Sequence, residues 1–317
     1  MATALQIKSL IRNFFEEDKE KFVTSALQIA ASEAYKGHSD FARELKNIID
    51  KGRQAIGRVV AFPAGLHELI EEEKTFEKLP ELIVQDTIRK RLLRIIQEYF
   101  QQDRLMAHGL PFRRKILLAG PPGTGKTMTA RILASELQLP YYSIQMDRLI
   151  TRFMGESSSK LRQVFEVIQA HQGVYMFDEF DAIGADRGKD NDVGEMRRVL
   201  NSFLQFLEKD QSNSLILAST NNLKLLDKAL FRRFDDYLPY QLPEPEEIKQ
   251  LIINRLGTFK PKGKLDSVFT EALDLSHAEI SLACFDSLKE AILNEQKKVE
   301  PLALQEAIKL RKHIYNH

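Results

Sequence analysis

Apolar residues follow a helical period at both ends of the chain and gather into short unbroken runs in between. Near the start, Ile7, Leu10, Ile11, Phe14 and Phe15 share one helical face, and Phe22, Ala26, Ile29, Ala30 and Ala34 continue it. A break at Gly37-His38-Ser39-Asp40 precedes Phe41, Leu45 and Ile48, with Ser39 or Asp40 as the candidate cap. The spacing predicts an all-α module of two or three helices from Leu5 to about Asp50. Packing on the body of the protein and docking a partner are equally open roles for it. Lys51 to Pro63 carries two glycines and a proline and reads as a linker, with a short strand at Val59-Val60-Ala61. Leu66 to Arg104 reads as helix broken near Pro80. Leu82, Ile83 and Val84, then Ile88, Leu92, Leu93, Ile96 and Tyr99, form its apolar stripe.

The middle of the chain changes period. Lys115–Ala119, Tyr141–Gln145, Gly173–Phe177 and Ser214–Ala218 are short apolar runs of the kind expected of strands buried on both faces. Tyr237–Gln241 is a further strand, and Pro239 assigns it to a sheet edge. Helical patterns separate them: Met128–Leu137, a short helix capped by Asp147, a helix with Leu161, Val164, Phe165 and Ile168 inward, and Glu195–Leu207. Such alternation indicates an α/β sheet. From Glu246 to the end the pattern is helical again, through Ile248, Leu251, Ile280, Ala283, Leu304 and Ile308.

Where the first of these runs ends, Gly120-Pro121-Pro122-Gly123-Thr124-Gly125-Lys126-Thr127 satisfies G-x-x-x-x-G-K-[ST], with a strand before it and a helix after it. The glycines allow backbone N–H groups to converge on phosphate oxygens, and the helix start adds partial positive charge. Lys126 is the candidate for the β- and γ-phosphates, Thr127 offers a hydroxyl to Mg²⁺, and Met128 opens the helix beside them. The segment upstream of such loops borders the base, so Ile83 and Val84 are candidate apolar contacts, with core packing as the alternative.

The third run ends in Asp178-Glu179, two acids at the carboxyl edge where open α/β sheets bind ligands. Downstream of a complete P-loop, the pair reads as a Mg²⁺ carboxylate, Asp178, and a general base, Glu179. Asn221, at the tip of the next strand, is a candidate to position the lytic water, or simply begins a loop. Arg232-Arg233 follows; adjacent arginines are usually solvated, but here they suit fingers acting on a neighbour's nucleotide.

Composition narrows the classes further. The formal charge of +1 over 317 residues gives no bulk argument for nucleic acid or an anionic membrane. One cysteine, Cys284, excludes an intrachain disulfide and a Cys-rich zinc site, and reads as a small buried residue. The start of the chain shows no charged leader with a long apolar run, and no stretch is long enough to span a bilayer, so a cytoplasmic protein is expected.

Together these landmarks resemble the AAA+ ATPases, in particular the AAA group that remodels proteins. The resemblance spans about Leu82 to Ser287. It rests on GPPGTGKT from Gly120, DEFDAIG from Asp178, STNN from Ser219 and LDKALFRRFD from Leu226. It implies a P-loop fold with a five-stranded parallel sheet, followed by a helical lid, with ATP and Mg²⁺ at their junction. The expected division is 1–62 for the helical module and linker, 63–243 for the nucleotide-binding part and 244–317 for the lid. The resemblance also implies a homo-oligomeric ring, commonly hexameric, with Asn221 at the sensor-1 position and Arg232 and Arg233 reaching a neighbour's γ-phosphate. Arg152-Phe153-Met154-Gly155-Glu156 resembles a pore loop, with Phe153 and Met154 gripping polypeptide; a Phe tucked into a helix junction is the alternative.

The chain departs from the family pattern at three places. Its two arginines are adjacent, which leaves open which one is the main finger. The usual Ser-Gly-Ala of the lid helix is Ser276-His277-Ala278, and no His-Glu-x-x-His occurs. The expected activity is ATP hydrolysis coupled to remodelling of a protein substrate or adaptor-bound protein, with a separately encoded protease as a further partner class. A DNA-handling ATPase of clamp-loader type and a nucleotide-gated scaffold are the competing readings; the near-neutral charge disfavours nucleic acid as a partner.

Overall fold

Three helices carry the amphipathic N-terminal stretch: α1 (Ala4–Phe15), α2 (Lys19–Tyr35) and α3 (Ser39–Ala55). They belong to the first of two compact units, Met1–Phe62 and Pro63–His317. In this computed structural model the described residues are 4–15, 19–35, 37–55, 66–149, 156–180, 190–222, 231–261 and 265–315. Ala26, Ile29, Ala30 and Ala42 are buried within the first unit. Asn13 Nδ2 donates to Ser25 Oγ at 2.9 Å, and His38 Nδ1 pairs with the buried Glu33 at 2.8 Å. Helix α3 runs five residues into the stretch read as linker, and the strand expected at residues 59–61 lies outside the described residues.

The second unit contains the sheet. Strands β1 (Ile70–Glu73), β2 (Lys115–Ala119), β3 (Tyr141–Ile144), β4 (Val174–Phe177), β5 (Leu215–Thr220) and β6 (Asp236–Pro239) assemble in the order β1-β3-β4-β5-β2-β6. Five of them are parallel; β1 runs antiparallel to β3, pairing Ile70 with Ile144 and Glu73 with Tyr141. The sheet is thus six-stranded, not five-stranded, and the helix expected from Leu66 is replaced by a turn and a strand. Glutamates favour helix locally, but β1 gains its backbone bonds from a neighbour far along the chain, and tertiary pairing outweighs propensity. The acidic side chains also blunt an exposed sheet edge. Pro239 lies on β6, the opposite edge, where β6 pairs only with β2 and a missing donor costs nothing.

Helices α4 (Asp86–Phe100) and α5 (Gln102–Ala107) precede β2. Between the strands come α6 (Lys126–Leu137), α7 (Met146–Leu149), α8 (Glu156–Ala170) and α9 (Asp190–Lys209). On one side of the sheet Leu92, Ile95, Ile116, Leu118, Ile132, Leu133, Met176 and Leu217 form one core, so α4 and α6 bury their apolar stripes against β2, β4 and β5. On the other side Phe165, Phe177, Phe180 and Phe203 interlock. The Phe203 ring centroid lies 5.0 Å from that of Phe177 and 4.5 Å from that of Phe180.

After β6 the chain is helical: α10 (Pro245–Leu256), α11 (Asp266–Glu271), α12 (His277–Leu293) and α13 (Pro301–Tyr315). A second core of Ile248, Leu251, Ile252, Ile280, Ala283, Cys284, Leu304 and Ile308 holds them. Pro245 opens α10, whose N-terminus is closed by Glu247 Oε2 accepting from Glu244 N at 2.8 Å. Ser276 caps α12 by accepting from Glu279 N at 3.3 Å. Burial pushes the Cys284 thiol up to about 12, so the lone cysteine is packing, not a nucleophile. Among the described residues no helix is long and apolar enough to cross a membrane.

Candidate nucleotide-binding cleft

Strand order decides what can meet. Strands β4, β5 and β2 are immediate neighbours and parallel, so their carboxyl ends lie side by side. The P-loop follows β2, Asp178 and Glu179 follow β4, and Asn221 follows β5. All of them line one cleft of about 530 Å³, together with Met128 and, from the helical half, Arg255, His277, Ala278, Ser281, Leu282 and Phe285.

The loop holds its shape through several contacts. Gly120, Gly123 and Gly125 all have positive φ, at 153°, 72° and 97°. At two of them space is also decisive: a Cβ on Gly120 would overlap the Tyr240 carbonyl, and one on Gly123 would come within 2.5 Å of Ser276 Oγ. Thr124 Oγ1 donates to Pro121 O at 2.8 Å. Lys126 Nζ donates to Gly120 O, Pro121 O and Asn221 Oδ1, each at 2.8 Å. Asn221 is therefore within direct reach of the P-loop lysine. Helix α6 begins at Lys126, two residues before the periodicity suggested, so its free N–H groups face the loop.

Thr127 Oγ1 donates to Asp178 Oδ2 at 2.5 Å, which joins the end of the P-loop to the end of β4. A hydroxyl beside a carboxylate is a hard oxygen pair that suits Mg²⁺, an ion that usually completes its shell with phosphate and water. Glu179 is exposed and has a left-handed backbone, φ 53°, between the buried Phe177 and Phe180. Its N–H donates to Asp178 Oδ1 at 3.0 Å and to Ser219 Oγ at 3.2 Å.

The helical half closes against the loop through one backbone bond, Ala278 N to Gly123 O at 3.0 Å. Val84 borders a small void with His277, whereas Ile83 packs into the helical core; both are buried. Burial, reinforced by Arg255, lowers the His277 pKa to about 4, and neither ring nitrogen is hydrogen-bonded among the described residues. Arg255 Nε donates to Ser281 Oγ at 3.2 Å, and its guanidinium stands 5.8 Å from the Phe285 ring centroid. Arg255, Leu282 and Phe285 were not singled out in the sequence. Leu282 and Phe285 are 40% and 42% exposed, off the core stripe of α12, and only the fold shows that they face a cleft.

Two expected site elements are not brought into this cleft. Arg232 is exposed and, among the described residues, has no carboxylate partner; Arg233 Nε lies 3.2 Å from Glu208 Oε2. Neither lines the cleft. Phe153 and Met154 lie outside the described residues.

Residues 116–242 match the family described as "ATPase family associated with various cellular activities (AAA)". The chain is 31% identical over 308 residues to "Uncharacterized AAA family ATPase y4kL" of Sinorhizobium fredii, covering 95% of this chain and 92% of that protein. It is 34% identical over 194 residues to "ATP-dependent zinc metalloprotease FtsH" of Parabacteroides distasonis, covering 58% of this chain and only 28% of that protein. Its fold is similar to that of the crystal structure of the FIGL-1 AAA domain, with a TM-score of 0.62 at 22% identity, covering 81% of this chain and 95% of that one.

Proposed function

The chain belongs to the AAA family of ATPases, and from that premise we propose that it assembles into a ring, commonly of six copies, and couples ATP hydrolysis to remodelling of a protein substrate. The observation that carries this reading is the division of the catalytic groups. The phosphate loop, Asp178, Glu179 and Asn221 share one cleft, and the arginine pair lies outside it. An arginine that does not line its own cleft is available to serve a neighbour's.

In this reading residues 120–128 hold the nucleotide, with Lys126 on the β- and γ-phosphates. Gly120 O, Pro121 O and Asn221 Oδ1 now hold the Lys126 ammonium, and bound phosphate would take over part of that set. Thr127 and Asp178 would hold Mg²⁺, in part through water; when bound, the ion neutralises charge on the β- and γ-oxygens. Glu179 takes the proton of the attacking water, and Asn221 orients that water beside the γ-phosphate. Arg232 is the main finger, because Arg233 is already paired with Glu208 and Arg232 is exposed with no carboxylate partner among the described residues. Phe153 and Met154 are the proposed grip on polypeptide. Residues 1–62 form a docking module, 63–243 the nucleotide-binding part and 244–317 the lid that follows nucleotide state. The FtsH relative is named as a protease, and a separately encoded protease is one partner class for this chain. A cytoplasmic location accords with a polypeptide substrate.

The test is a trap. The Glu179→Gln chain should keep ATP but hydrolyse it about 10²–10⁴-fold more slowly, since the base is lost while charge stabilisation survives. Held with ATP, it should retain a protein partner that resists nuclease and leaves on exchange to ADP. Capture of nuclease-sensitive nucleic acid instead would favour the DNA-handling reading. Wild-type turnover by Glu179→Gln would overturn the assignment of the base.

A further inference from the structure

Strand β5 is apolar from Leu215 to Ala218 and then places a hydroxyl, Ser219, that is 1% exposed. A buried hydroxyl is costly unless both its donor and its acceptor capacity are used. Both are used here, and both on the same turn. Ser219 Oγ donates to Asp178 Oδ1 and accepts from Glu179 N. The other oxygen of that carboxylate, Asp178 Oδ2, is held by Thr127. Two residues on, just past the end of the strand, Asn221 reaches Lys126. The tip of β5 therefore grips the β4 turn with one side chain and the P-loop with the next.

This grip matters because of how Glu179 is held. Its side chain is exposed, so its direction depends on its backbone. That backbone is left-handed, a conformation unfavourable to an L-residue that persists only where neighbours enforce it. Buried Phe177 and Phe180 fix the chain on either side, and the N–H bonds to Asp178 and Ser219 fix the peptide between them.

We infer that Ser219 is a positioning residue for hydrolysis: its hydroxyl locks Asp178 and the Glu179 peptide so that the Glu179 carboxylate points at the attacking water. The inference rests on Glu179 being the general base. Removing the hydroxyl leaves the P-loop and Lys126 intact, so binding survives while turnover falls.

The experiment compares the full chain as wild type, Ser219→Ala, Glu179→Gln and the double variant, reading steady-state ATP turnover and the affinity for a fluorescent ATP analogue. Ser219→Ala should lower kcat about 10–100-fold, the range seen when partners of a catalytic group are removed, with nucleotide affinity within about two-fold of wild type. In the Glu179→Gln background the same change should have no further effect on turnover, because both act through one carboxylate. Unchanged turnover in Ser219→Ala, or an equal additional loss in the double variant, would overturn the inference. If Glu179→Gln alone turned over like wild type, the general-base reading itself would fail, which separates the two failures. Ser219→Thr and Ser219→Val provide a pair of matched volume should the alanine variant not fold: the threonine chain should stay active and the valine chain should be slow. Equal rates for that pair would also overturn the inference.

Discussion

His277 stands at the first position of α12, beside the Arg255 guanidinium and one residue after the cap. A proton on this ring would sit in a buried site, at the positive end of a helix and next to a cation. Burial and Arg255 accordingly hold its pKa down to about 4, against about 6.5 when unfolded. The native state thus takes up its proton at a lower pH than the unfolded chain does. The resulting stability is complete above about pH 6.5 and drains away as pH falls through 6.5 towards 4. Between pH 7.5 and 5 the wild type should lose about 2 kcal/mol through this group, and His277→Ala should lose correspondingly less. Urea titrations of both chains at the two pH values check this; parallel losses would show that His277 does not titrate as described. The histidine was legible as a departure from Ser-Gly-Ala. Its depressed pKa was not, because burial and the approach of Arg255 are properties of the assembled C-terminal helices.

At the scale of elements, the P-loop strand and the strand after the arginines form one mechanical piece. Asp235 N donates to Lys115 O at 2.8 Å, and Asp235 Oδ2 accepts from Arg114 N and Lys115 N at 3.0 and 2.9 Å. At the far end Tyr240 N donates to Ala119 O at 2.6 Å, and the buried Tyr240 hydroxyl meets Thr129 Oγ1 at 2.6 Å inside α6. Burial drives the Tyr240 pKa upward, so the group stays a neutral hydrogen-bonding phenol. Tyr240→Phe should cost about 1 kcal/mol in a denaturant titration, since it removes one bond and leaves Thr129 its second partner, Gly125 O at 3.0 Å. No measurable loss would mean that the contact does not tie β6 to α6. The strands and the P-loop helix were legible because apolar runs and a glycine pattern are local signals. Strand β1 was not, since its four residues read as helix until β3 supplies their partners. Strand order was not legible either, and it is strand order that brings Asn221 to Lys126.

At the scale of the molecule, the chain divides into a helical unit and an ATPase unit, and the groups proposed to act in hydrolysis divide between a cleft and an arginine pair outside it. The motifs made the ATPase readable from sequence. The separation of Arg232 from its own cleft emerged only from the fold, because the residues that line a cavity are set by topology and not by spacing. In the proposed mechanism two copies complete one active centre. An arginine supplied by a neighbour contributes about 10³–10⁵ in rate in related phosphoryl transfers, so either half alone should be nearly silent.

The most direct measurement is ATP turnover on mixing two inactive chains, Glu179→Gln and Arg232→Ala/Arg233→Ala. The first retains its arginines and the second its base. In a mixed assembly, a site that keeps Glu179 can face a neighbour that keeps both arginines. Each chain alone should be slow, and the mixture should regain a substantial part of wild-type turnover. A mixture as slow as its parents, or full activity in the arginine variant by itself, would contradict the proposed mechanism.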